Sequence, residues 1–497
     1  MSIDLPLYRA DSTPAGTGNV DMDQFEYAVK STRSGINPEL WARIWFVLFV
    51  GVLAYFVQLS EVGRTAFAGS QSAYLVVAPV LAGLVAAGYS RPPRGVIDSE
   101  SDWIAAALLC IGGFAAVVLI ERRLPALAAL WHVDNIGLLI WVAACGMVVF
   151  SARHVLRMWN VWVLGLLLAP VMPFMLVTAQ LGGSDTAVAM VSALIGSLAV
   201  LLATRFVSIG VRLLSTLVNL GLSCGAVLLL ADFSLYVRVL LAAGAVPVVV
   251  VLALHRLVWL RRDQHSPAPT SPLPVCRPQS YAVLVVAAIV MLCMQLPMTR
   301  PAPVEQVNAD WLQNSGLEPA EDFPFITRFL GSDSSLVRYR VPSASDTYET
   351  VVDVMTSPDL ARLQDFSHAV WYPAQVPINY APFDAGVDAP AGIKSAHSDA
   401  DSATTMDATN WDAVTWVWQS GEVFQQVTVL TSQSRDQAAP APQPLTLRTA
   451  FLEPTLWTLR QQPSETGAVS PMARTNTESV VRRLLAEQTS ATGELAP

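Results

Sequence analysis

Charge is what this sequence has least of: Asp, Glu, Lys and Arg make up only 14% of its 497 residues, against 53% hydrophobic. Soluble domains carry roughly a quarter charged residues, so an ordinary soluble protein of this length is excluded. Cysteine is scarce too. Cys110, Cys145, Cys224, Cys276 and Cys293 all precede residue 300, which excludes a disulfide framework beyond it. No Walker loop, dinucleotide fingerprint, HExxH helix, GxSxG elbow or CxxC pair occurs, so the usual soluble-enzyme chemistries lack their motifs and no cofactor is expected. A net charge of -9 gives no support to nucleic-acid binding. No apolar segment with a small-residue cleavage site opens the chain; residues 1–40 are polar, with Pro6, Pro14, Gly16 and Gly18, and read as a disordered cytoplasmic arm.

What the sequence has instead is long apolar runs. A span needs about 20 apolar residues to cross a ~30 Å hydrocarbon core. On that measure residues 41–297 form a membrane domain of nine predicted helices: 41–60, 74–90, 103–120, 136–152, 159–179, 187–203, 211–231, 236–260 and 280–297. Arginines fall unevenly between them. One side collects Arg9, Lys30, Arg33, Arg43, Arg91, Arg94, Arg153, Arg157, Arg205, Arg212, Arg256, Arg261, Arg262 and Arg277, whereas the other holds Arg64, Arg122, Arg123 and Arg238. Because positive loops stay in the cytoplasm, the amino terminus is expected inside and everything after residue 300 outside the plasma membrane.

Residues 303–462 read as an extracytoplasmic α+β domain. A short helix is expected at 304–314, and SLVRYRV (335–341) and TYETVVDVMTS (347–357) alternate with the period of strands. PDLARLQDF (358–366) reads as a helix. DAVTWVWQS and EVFQQVTVLTSQ flank Gly421 as a hairpin with Trp416 and Trp418 on one face. Residues 463–497 read as a mostly disordered tail containing a short amphipathic helix, TNTESVVRRLLAEQ.

Two groups of candidate residues follow. Asp232 and Arg238 flank the short turn FSLYV between the seventh and eighth spans, and Cys224 lies about two helical turns below Asp232. A guanidinium beside a thiol favours the nucleophilic thiolate, with Asp232 orienting Arg238. The bland alternative is a small residue packed between Gly221 and Gly225, with Arg238 reaching the headgroups. The second group is the proline-bounded loop FSHAVWYPAQVPINY (366–380), where His368, Trp371, Tyr372 and Tyr380 could bind an exported polypeptide or glycan or simply complete a core. His397, Asp399 and Asp401 match cation-ligand spacing but read better as a solvated loop, so no metal site is expected.

The second span, SAYLVVAPVLAGLVAAGYSR, resembles an early span of the exosortase/archaeosortase family. WVLGLLLAPVMP (162–173) is similar to that family's proline-spaced helix, and RVLLAAGAVPVVVVLALHRLVWL (238–260) to its helix in which an arginine, here Arg256, follows a proline. The resemblance spans residues 70–260 and implies a membrane-embedded cysteine protease or transpeptidase acting on exported proteins, some members carrying an exported exopolysaccharide-accessory domain. The chain departs from the family's Cys-Ser-Gly motif. Spacing back from Arg256 puts Ser208 at the nucleophile, while Ser223-Cys224-Gly225 keeps a thiol that the positive-inside topology sets ~15 Å or more from Arg256. An exosortase-like protein, active or degenerate, is the first expectation. A non-catalytic membrane scaffold is the second and a transporter subunit the third.

Overall fold

The computed structural model describes residues 38–89, 99–261, 277–296, 304–342, 348–374, 376–384, 390, 392–398, 410–435, 437–460 and 469–493. The first part is helical throughout: α1 Pro38–Ala54, α2 Phe56–Phe67, α3 Ala78–Ala87, α4 Ser99–Arg123, α5 Pro125–Trp131, α6 Asp134–Phe150, α7 Ala152–Arg157, α8 Trp159–Leu168, α9 Val171–Gln180, α10 Asp185–Ala203, α11 Ile209–Leu229, α12 Leu235–Val239, α13 Val246–Arg261 and α14 Pro278–Gln295. The arm expected over 1–40 falls outside the described residues as far as residue 37.

Among the described residues, five stretches are long and apolar enough to cross a membrane: Glu100–Arg123, Asp185–Ala203, Ile209–Leu229, Leu235–Val258 and Pro278–Gln295. Three bent pairs bring the number to eight if each is one span: α1 with α2 at 82°, α5 with α6 at 65°, and α8 with α9 at 63°. Pro170 explains the last, since a proline between helices removes a donor and opens the ladder.

Small residues set how closely the helices pack. A Cβ on Gly88 would meet the Ala203 carbonyl oxygen at 2.2 Å, and one on Gly113 would meet Ile140 at 2.7 Å. Between α12 and α13 the chain makes a π-helical turn, Leu240–Ala245, ahead of Pro247. Five residues before Pro247, which has no N–H to offer, the Ala242 carbonyl accepts a hydrogen bond from Ser223 Oγ at 2.7 Å. A neighbouring helix thus satisfies a carbonyl that the irregular turn leaves free.

The second part is an eight-stranded sheet: β1 Glu305–Val307, β2 Glu318–Asp322, β3 Ser335–Arg340, β4 Thr350–Ser357, β5 Ala381–Pro382, β6 Lys394–His397, β7 Trp411–Ser420 and β8 Val423–Ser432. The strand order is β2-β3-β4-β8-β7-β6-β5, and β1 pairs in parallel with the end of β7. That pairing replaces the helix expected over 304–314: Val307 lies opposite Ser420, and only α15 Trp311–Asn314 is helical. The shorter helix α17 Leu360–Asp365 packs on the sheet, α16 Thr327–Leu330 meets α9, and a carboxyl-side helix α18 Glu453–Leu459 follows β8.

The hairpin turns at Gly421, whose φ of 61° favours glycine. Trp416 and Trp418 do share a face, their rings 5.4 Å apart, and Trp311 meets Trp418 edge-on at 4.6 Å. What covers them corrects the tail expected over 463–497. Helix α19, Pro471–Gly493, lays Val480, Val481 and Leu484 into the same core as Val414, Trp416, Trp418 and Val427. The sheet domain therefore continues past residue 462. The physical reason is that three apolar residues among polar neighbours suffice once tryptophans wait opposite them.

Candidate functional site

The sheet domain is docked on one end of the helical bundle through residues distant in sequence. Asp185, in the first turn of α10 just after the Ser184 cap, pairs with Arg238 at 3.6 Å and more tightly with Arg362 of α17. A carboxylate is well placed there, because the first turn carries the positive end of the helix dipole. Arg362 also donates to the Leu330 carbonyl at 2.9 Å, in room left by Gly331, whose φ is 102°. Beside it lies Asp365, which accepts from Ser70 Oγ at 2.6 Å and from the Gln71 amide at 2.8 Å. Burial pushes Asp365 up to about 7 against the pull of those two donors and of Arg362. The Gln71 side-chain amide reaches the Phe329 carbonyl.

These contacts relocate the first group of candidate residues. Arg238 is buried, but its carboxylate partner is Asp185 and its Nε donates to the Phe233 carbonyl at 2.8 Å. Asp232 is exposed. Among the described residues no hydrogen bond or ion pair joins half-buried Cys224 to Arg238 or Asp232. The sequence reading saw an arginine with a carboxylate six positions away. It missed Asp185 because the partner comes from another helix, although SDTAV has the pattern of a capped helix start.

The second group gathers around a groove. A cleft of about 190 Å³ lies between α5, the loop after α17 and the segment leading into α18. His368, Trp371 and Tyr372 line it with Leu127, Leu130 and Trp457. Tyr380 is not among its lining residues; its hydroxyl donates to the Ala369 carbonyl at 3.0 Å and braces the loop from behind. Tyr372 is held by Asp353 Oδ2 at 2.8 Å, and Asp353 forms a two-pronged pair with Arg338, both contacts 2.8 Å, across the β3–β4 register. Arg338 in turn donates to the Ala439 and Pro440 carbonyls, so one buried ion pair fixes two walls of the groove. Burial, helped by Lys394, lowers His368 to about 4, and its imidazole is neutral at pH 7.

Trp371 is buried against Phe325, Phe329 and Phe366, and its indole N–H, like those of Trp131 and Trp416, has no acceptor among the described residues. A buried donor without a partner costs roughly 1–3 kcal/mol.

Comparison with protein-family models, curated proteins and solved structures returned no match to this chain. His397 ends β6, while Asp399 and Asp401 lie outside the described residues.

Proposed function

We propose that the protein is a non-catalytic assembly or binding factor of the cell envelope, an exosortase-like bundle without a working thiol site, whose seam groove holds an apolar segment of an exported polypeptide. The observation that carries the reading is the groove itself, walled by Leu127, Leu130 and Trp457 and edged by His368 and Tyr372. An apolar side chain fills the cleft, whereas a glycan would leave hydroxyls against leucine. The thiol chemistry that the family resemblance implies needs a free guanidinium, and Arg238 is already engaged by Asp185 and the Phe233 carbonyl.

In this reading the bundle crosses the plasma membrane nine times, the shorter apolar stretch Gln71–Ala87 adding one span to the eight, with its amino terminus in the cytoplasm and the sheet domain outside. Support comes from arginines at the end away from the sheet domain: Arg43 donates to the Val149 carbonyl, and Arg205 to the Tyr89 hydroxyl. Arg256 belongs to the same end, in the last turns of α13.

A photo-crosslinking side chain at Leu127 in intact cells tests the proposal. It should yield an adduct with an exported polypeptide that a crosslinker at exposed Glu422 does not give. Trp457→Ala, which removes one wall of the groove, should weaken that adduct, and Cys224→Ala should leave it unchanged. A glycan adduct would sink the polypeptide reading, and loss of adduct in Cys224→Ala would restore the enzymatic one.

A further inference from the structure

The segment leading out of the groove has an apolar face that, apart from the contact of Phe451 with Trp131, is exposed among the described residues. Residues Arg448–Leu452 form a π-helical turn that continues into α18. Leu447, Phe451, Leu452, Leu456 and Leu459 are 68%, 51%, 55%, 47% and 74% exposed and recur at helical spacing. Thr455, the polar residue between them, gives its hydroxyl to the Phe451 carbonyl at 2.7 Å and so presents little unmet polarity. Opposite this face, Ala450, Pro454 and Trp457 close the groove against α5.

The location decides what the face meets. Phe451 stacks on Trp131 of α5 with ring centroids 5.7 Å apart. Helix α5 follows directly on Arg123, the end of the apolar stretch Glu100–Arg123. The exposed leucines are therefore beside the end of a bundle helix whose own outward residues, Ile104, Leu108, Ile111 and Leu119, are equally uncovered. Exposed Arg448 and Arg460 flank the segment; Arg448 also reaches Glu453 at 3.1 Å. Apolar residues on one face with arginines at both ends match a helix lying in a headgroup layer, its apolar side sunk ~5–10 Å toward the acyl chains.

We propose that residues 447–459 are an interfacial helix embedded in the lipid leaflet next to α5, so that the groove opens beside the bilayer surface and receives its polypeptide there. The proposal rests on the bundle being in a membrane, and the test separates the two. Nitroxide labels are placed singly by Leu452→Cys, Leu217→Cys and Glu422→Cys in full-length protein whose native cysteines are alanine. The protein is held in phosphatidylcholine–phosphatidylglycerol nanodiscs. Collision of each label with oxygen, which concentrates in hydrocarbon, is compared with collision with a water-soluble nickel chelate.

Leu217 is an exposed apolar position of α11 and Glu422 an exposed charged one on the hairpin. The oxygen-to-nickel ratio at Leu452 should exceed that at Glu422 several-fold and approach that at Leu217. A ratio at Leu452 matching Glu422, with Leu217 lipid-like, overturns the proposal alone; a water-like Leu217 overturns the membrane reading with it. Spin–spin broadening at Leu452 that disappears on dilution with unlabelled protein would put a second copy on this face and likewise overturn the proposal.

Discussion

Arg362 of the sheet domain and Asp185 of the helical bundle are 177 positions apart in sequence and form an ion pair across the seam. The pair holds the groove in register, because α17 runs directly into the aromatic loop that lines it. Arg362 is largely shielded, whereas about a third of Asp185 is open to water, so the interaction lies between a surface and a buried bridge.

Arg362→Met should loosen the seam. It removes the Asp185 contact and the hydrogen bond to the Leu330 carbonyl, an expected cost of about 2 kcal/mol. Thermal unfolding in detergent should show the sheet domain melting earlier, and hydrogen exchange at residues 68–72 should speed up. Unchanged exchange there would show that the pair does not hold the seam.

The seam should also respond to pH through Asp365. Its folded value, about 7, lies above the ~3.9 of an unfolded aspartate, so the folded chain binds this proton more tightly. Its contribution to stability is complete below the ordinary carboxylate range and is lost as pH rises toward and through 7. The facing charges are Arg362, which favours the ionised form, and Asp359, which opposes it. Unfolding followed from pH 5 to 8 should show falling stability in the wild type and a flatter profile in Asp365→Asn, which cannot ionise and keeps one acceptor oxygen for either Ser70 or the Gln71 amide. Equal slopes would rule Asp365 out as the source.

Two neighbouring glycines separate backbone strain from close approach. Gly182 and Gly183 both have positive φ, 94° and 65°, but a Cβ has open space at Gly182 and would lie 1.9 Å from the Arg328 carbonyl oxygen at Gly183. Gly182→Ala should cost about 1 kcal/mol from conformation alone. Gly183→Ala should cost several times more and push the sheet domain off the bundle, visible as faster proteolysis between them. Similar losses for both would mean the close contact is unimportant.

Ser223→Ala should destabilise the bundle by about 1 kcal/mol, since it leaves the Ala242 carbonyl without its donor. The loss should shrink in a Pro247→Ala background, where residue 247 regains an N–H. A double-mutant cycle in detergent measures that coupling, and strict additivity would show that Ser223 does not compensate for the proline.

Much of the architecture was legible because it is locally encoded. Apolar runs such as Asp185–Ala203 and alternation such as SLVRYR need no partner to declare helix or strand. The tail helix was readable as amphipathic, but not that it covers Trp416 and Trp418. The groove's aromatic residues could be named because FSHAVWYP concentrates rings between helix and proline. Their roles could not. Trp371 turns inward onto Phe329 and Phe366, Tyr372 serves as a strut on Asp353, and only the docked α5 makes a groove of them.

The sequence by itself determined a helical bundle rich enough in apolar residues for a membrane, followed by a sheet domain built on a tryptophan hairpin. Both follow from period and composition, which act within a few residues. Only the tertiary structure decided which carboxylate meets Arg238, that Asp365 is buried against Ser70 and Gln71, and where a groove forms. Those outcomes depend on two surfaces meeting, and electrostatic pairing and desolvation act through space at a few ångströms, whatever the separation along the chain.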